Sequence, residues 1–123
     1  MKLHLQKIDN LHTVTAYGEG YVCVNGTRHT SNLIVSPDRL IPNWTSARVE
    51  TLALADFELL ALLEAEIVLL GTGSRLTFPK PELLRPLLYV QKGLETMDVY
   101  AACRTYNILL GEGRRVAAAL LIA

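Results

Sequence analysis

From Leu54 onward the chain alternates helix-period segments with short apolar runs, and no other feature constrains its fold as much. Phe57, Leu60, Ala61 and Leu63 recur at the spacing of an amphipathic helix over Leu54–Glu64. Ile67-Val68-Leu69-Leu70 is a continuous apolar run closed by Gly71-Thr72-Gly73, the pattern of a strand buried on both faces. Pro81 suits the first turn of a helix over Glu82–Gln91, with Gly93 as its stop. Leu94–Met97 reads as a strand, Val99–Leu110 as the main helix and Arg115–Ile122 as the last strand. Strands joined through helices lie parallel in one sheet with right-handed crossovers, so the second half predicts an α/β layer.

The first third is β-rich. Thr13–Tyr17 and Tyr21–Val24 flank the turn Gly18-Glu19-Gly20, and Asn25-Gly26 signals a type I′ hairpin because both residues tolerate positive φ. The return strand is expected over Thr27–Val35, ending at Pro37-Asp38. Pro42–Thr45 reads as irregular, with a short strand around Ala47–Val49. The expectation is a single layered domain over residues 1–123. It has a mixed central sheet, an N-terminal β-meander that extends or covers that sheet, and three helices.

Composition excludes several functions. With 12 basic and 12 acidic residues the formal net charge is zero, so no global field draws the chain to nucleic acid. The longest apolar run, Val116–Ala123, is far short of the ~20 residues a membrane helix needs. Met1–Gln6 lacks the features of a secretory signal or transit peptide, which points to a cytoplasmic, bacterial protein. In that compartment Cys23 and Cys103 are expected as free thiols. His4, His12 and His29 are scattered, so no metal site is expected.

Chemistry is expected at the carboxyl ends of the parallel strands. Gly71, Thr72, Gly73 and Ser74 follow one strand there, and Met97 and Asp98 lead into the main helix. Together they make a candidate crevice for an anionic group, served by free backbone N–H groups and the positive helix end. Asp98 is also the natural N-cap of that helix. Gly71–Leu76 starts like a dinucleotide fingerprint but lacks its third glycine and an immediately following helix, so no such cofactor is expected. Tyr100, Arg104 and Asn107 share one helical stripe. They could hold an anion, form a protein interface or simply be solvated, with Arg104 pairing Glu95 or Asp98. Cys103 reads as a buried hydrophobe with no nearby base, and Trp44 as a core or edge anchor. No catalytic residue is assigned.

These segments carry a resemblance. Gly18-Glu19-Gly20-Tyr21, Asn25-Gly26, Trp44, Leu70-Gly71-Thr72-Gly73, Glu95 with Met97-Asp98, and Ala101–Asn107 run through the chain, and Glu112–Leu120 closes it. The sequence resembles the Mth938-like domains, a family of unknown function whose eukaryotic members include a mitochondrial respiratory complex I assembly factor. It departs from them at Val99, where a threonine is usual, at Lys92, where a glycine is usual, and near Ala53, where a Ser/Thr cap is expected. The resemblance implies the layered α/β fold. It favours a non-enzymatic interaction or assembly factor with a protein partner linked to respiratory complex I, and a homo-oligomer is compatible with it. The alternative it implies is a binder of a small anionic ligand, or an unrecognised enzyme, using the Gly71–Ser74 crevice and the Val99–Leu110 helix.

Overall fold

The computed structural model describes residues 11–123; Met1–Gln6 and His4 lie outside them. Three strands, β1 (Val14–Gly18), β2 (Tyr21–Val24) and β3 (Thr27–His29), form a small antiparallel sheet. Asn25 (φ 48°) and Gly26 (φ 85°) make the tight β2–β3 turn, the conformation their side chains allow. Five more strands form the main sheet in the order β5 (Leu40–Pro42), β4 (Leu33–Val35), β8 (Val116–Leu120), β6 (Ile67–Gly71), β7 (Gly93–Met97). β8 and β7 run parallel to β6, and β4 runs antiparallel to both β8 and β5. The helices are α1 (Leu54–Ala61), α2 (Arg85–Tyr89) and α3 (Val99–Gly111).

Alternation along β8 splits the core. Ala117, Ala119 and Leu121 face the α1–α2 side with Phe57, Leu60, Leu87 and Trp44. Val116, Ala118 and Leu120 face α3 and the small sheet, with Ala102, Cys103, Tyr106, Val22 and Val24. The alanines of β8 are small enough for helices to pack closely on both faces. The result is three layers, with the meander covering the main sheet beside α3 rather than extending it.

The expectations need correction at four places. The single return strand over Thr27–Val35 is two strands, because the chain leaves the small sheet after His29 and enters the main one at Leu33. Between them sits Asn32, buried and fully bonded, which takes the chain across. Leu40–Pro42, not anticipated, pairs with β4 after the Pro37-Asp38 turn. Ala47–Val49 is no strand; the chain there enters a 3-10 turn at Val49–Thr51, with Arg48 N–H donating to Thr51 Oγ1. The second helix is split as well, into a 3-10 turn over Pro81–Leu84 followed by α2.

Candidate functional site

The register of the parallel strands brings Gly71, Met97 and Leu120 to one edge, so the segments following β6, β7 and β8 converge there. Thr72 N–H donates to Met97 O (2.9 Å), Leu121 N–H to Gly71 O (2.8 Å) and Val99 N–H to Gly73 O (2.8 Å). A Cβ at Gly71 would stand 3.1 Å from Ala102 Cβ, Leu120 Cδ2 and Val99 Cα, so this glycine lets α3 lie close on β6. Thr72 is buried. Its hydroxyl accepts from Thr77 N–H (3.1 Å) and donates toward Arg75 O (2.6 Å) and Met97 O (3.3 Å). That hydroxyl closes the loop on itself.

Of the expected crevice residues, Gly73 and Ser74 line a cleft of about 460 Å³ with Val99 and Tyr100 at the start of α3, whereas Gly71, Thr72, Met97 and Asp98 do not line it. Its far wall is the β1–β2 turn with Tyr21, a contribution visible in the sequence only as the Gly-Glu-Gly-Tyr motif. The expected free helix end does not exist. Asp98 Oδ1 accepts from Tyr100 N–H (3.0 Å) and Ala101 N–H (2.9 Å), Val99 N–H is taken by Gly73, and Ala102 N–H by Asp98 O. All the first-turn donors are satisfied within the chain, and the cap itself supplies the negative charge the helix dipole favours. Among the described residues Glu19 is the only charged side chain lining this cleft, so their electrostatics favour a neutral or cationic group.

The Tyr100–Arg104–Asn107 stripe is turned toward the small sheet. Asn107 Nδ2 donates to Val14 O (2.8 Å) and its Oδ1 accepts from Val14 N–H (3.0 Å), which clips β1 to α3. Tyr100 stacks on Tyr17 with ring centroids 5.7 Å apart, and Arg104 Nη1 donates to the Tyr17 hydroxyl (3.1 Å). Arg104 thus pairs with a phenol across the layer, not with Glu95 or Asp98. Met97 packs its side chain against the α3-side core, and its carbonyl holds Thr72.

Residues 14–121 match the family described as a protein of unknown function, DUF498/DUF598. The chain belongs to that family. Its fold is also that of a Bordetella parapertussis protein known from its crystal structure, 43% identical, with a TM-score of 0.84 over 92% of this chain and 97% of that one. A Bordetella pertussis Mth938-like domain solved by NMR is 36% identical, with a TM-score of 0.78 over 92% of this chain and 87% of that one. In Bos taurus, the NADH dehydrogenase [ubiquinone] 1 alpha subcomplex assembly factor 3 is 31% identical over 110 residues. That match covers 88% of this chain but only 59% of the bovine protein.

Within this Mth938-like frame the departures acquire physical meaning. Lys92 Nζ donates to the carbonyl oxygens of Ala61 (2.7 Å) and Leu63, setting a cation on the C-terminal end of α1. Ala53 has no capping side chain, and Asp56 compensates by accepting from Ala53 N–H (2.9 Å). Val99, the third of these departures, is buried and packs into the α3-side core.

Cys103 is fully buried, and burial pushes its thiol from 9.0 up to about 12, with Asp98 adding to the rise and Arg104 opposing it. Burial also raises the Tyr106 phenol, with a smaller push from Asp38. Both groups titrate earlier in the unfolded chain, so above pH 9 unfolding releases protons that the folded state retains. Stability is full below that pH and falls as pH rises toward the folded values. The thiol alone should contribute a loss of ~1.4 kcal/mol per pH unit. Urea midpoints should hold from about pH 7 to about pH 9 and then fall toward about pH 11, and fall more shallowly in Cys103→Ala.

Proposed function

We propose that this protein is an interaction or assembly factor that binds a protein partner of respiratory complex I, acting in the cytoplasm of a bacterial cell. One observation carries the reading: the end of the α1–α2 layer exposes Leu62 (81%), Leu88 (68%), Tyr89 (92%) and Val90 (50%). The bonds from Lys92 to Ala61 and Leu63 tie the ends of these helices together, and all four residues lie at or just after those ends in the chain. An apolar cluster left open at a helix end, with a tyrosine in it, has the composition of a docking surface. The name of the bovine relative supports complex I as the partner. The polar stripe of α3 is a weaker interface candidate, because Asn107 and Arg104 are engaged with β1.

The test is co-purification from the native cell at endogenous expression, with Leu88→Asp and Tyr89→Asp beside Arg104→Ala. We expect a respiratory-complex subunit with wild type and Arg104→Ala, and a loss of roughly 30-fold or more in recovery with either aspartate variant. Undiminished capture by both aspartate variants, or no respiratory subunit with wild type, would overturn the reading.

A further inference from the structure

On the other side of the Gly73–Ser74 loop lies a second, smaller cleft of about 290 Å³ whose chemistry is the reverse of the first. Arg48 comes from the segment before the 3-10 turn and Arg75 from the loop after β6, so two distant pieces of chain each bring an arginine to the lining of one depression. Ser74 and Thr77 add hydroxyls, and among the described residues Glu50 is its only acidic side chain.

Arg28 lies over the Tyr21 ring, Arg104 bonds Tyr17 and Arg114 bonds Glu66, whereas Arg39, Arg85 and Arg115 have no side-chain partner among the described residues. Among the described residues neither Arg48 nor Arg75 is in a salt bridge, although Glu50 lines the same cleft. The N–H groups of Gly73 and Ser74 likewise have no acceptor among the described residues. Both arginines are anchored at the backbone. Arg75 O is held by the Thr72 hydroxyl and Arg48 N–H by Thr51, with Val49 buried in the core beside it.

We propose that this cleft binds the phosphate group of a small phosphorylated polyol, held between Arg48 and Arg75. Two guanidinium forks, two hydroxyls and free loop amides form a set of donors that one carboxylate, with fewer lone pairs, would leave partly unused. A phosphate dianion offers acceptors on every side and matches the paired charges. Glu50, the carboxylate of the lining, then accepts from a hydroxyl on the carbon skeleton that carries the phosphate. The site stands independently of partner capture, since it shares no residue with the apolar end of the α1–α2 layer.

The experiment is an NMR titration of the full chain with inorganic phosphate and with glycerol 3-phosphate, against acetate and sodium chloride at matched ionic strength. The amides of Gly73, Ser74 and Arg75 and the guanidinium Nε signals of Arg48 and Arg75 are followed. We expect saturable shifts with both phosphates and tighter binding of glycerol 3-phosphate, whereas chloride gives none. Arg48→Gln and Arg75→Gln should each weaken binding by about tenfold or more, and the exposed Arg39→Gln should not. Glu50→Ala should remove the preference for glycerol 3-phosphate while sparing inorganic phosphate. These substitutions lie on exposed side chains, and unchanged spectra elsewhere show that folding is intact. Shifts that rise linearly, that acetate or chloride reproduce, or that survive both arginine variants would overturn the proposal.

Discussion

Asn32→Leu is expected to destabilise the protein by ~3 kcal/mol, although it replaces a polar side chain in the core with an apolar one of similar size. Asn32 is 3% exposed and uses its whole amide. Nδ2 donates to Thr45 O (2.9 Å) and Ala47 O (3.2 Å), and Oδ1 accepts from Ile122 N–H (2.7 Å) and Ala123 N–H (3.1 Å). One side chain therefore joins the chain leaving β8 to the segment that leads into the 3-10 turn. Leucine would leave two carbonyls and two N–H groups without partners, and the cost of those orphans exceeds any gain from apolar burial. Urea denaturation read from the fluorescence of Trp44 is the direct measurement, because the Trp44 Nε1–H donates to Leu120 O (3.2 Å) beside this junction. Asn32→Asp should cost at least as much as leucine at pH 7, because a buried carboxylate oxygen would face the carbonyls of Thr45 and Ala47. A loss below ~1 kcal/mol for Asn32→Leu would mean that the four bonds are replaced by water.

Tyr106→Ala should cost still more, ~4 kcal/mol, and its damage should be uneven. The ring is fully buried between α3, the small sheet and β8, and its hydroxyl donates to His12 O (2.7 Å). His12 is itself tied to the β4–β5 turn. Its N–H donates to Pro37 O, and Nδ1, 3.0 Å from the carbonyl oxygens of both Ser36 and Arg39, must carry a proton. Removing the ring opens a cavity under the three-stranded sheet and frees this strap. Tyr106→Phe, which loses only the hydrogen bond, should cost ~1 kcal/mol. Amide exchange in Tyr106→Ala should accelerate across β1, β2 and β3 well before β6 and β8. Equal acceleration in all of them would show that the layers open as one unit.

How much of this was legible in the sequence differs by region. The helix and strand alternation after Leu54 was readable because each element carries its own period, and the positions of β6, β7 and α3 follow from it within a residue or so. The Asn25-Gly26 hairpin and the Asp98 cap were readable for the same reason: local chemistry decides them. The split of Thr27–Val35 was not, since Thr30 and Ser31 weaken a strand pattern without announcing a change of sheet. Nor did a sequence pattern mark Asn32, whose partners lie 13–15 and 90–91 residues away.

The candidate site divides the same way. Sequence alone placed a glycine loop and a helix start at the carboxyl ends of two strands, and packing makes those strands neighbours and puts Gly73 and Ser74 beside the start of α3. Spacing could not show that the helix N–H groups would be consumed by Asp98 and Gly73, or that the polar stripe of α3 would be spent on β1. Whether a donor is free depends on what packs against it. The pairing of Arg48 with Arg75 across 27 positions of chain is likewise a product of packing. Sequence by itself determined the periodic elements, the buried strands and the family, because each is written in residues that are near neighbours or form a long pattern. Only the tertiary structure decided which polar groups remain available, because hydrogen bonds and charges are satisfied by distant residues that the fold alone brings within reach.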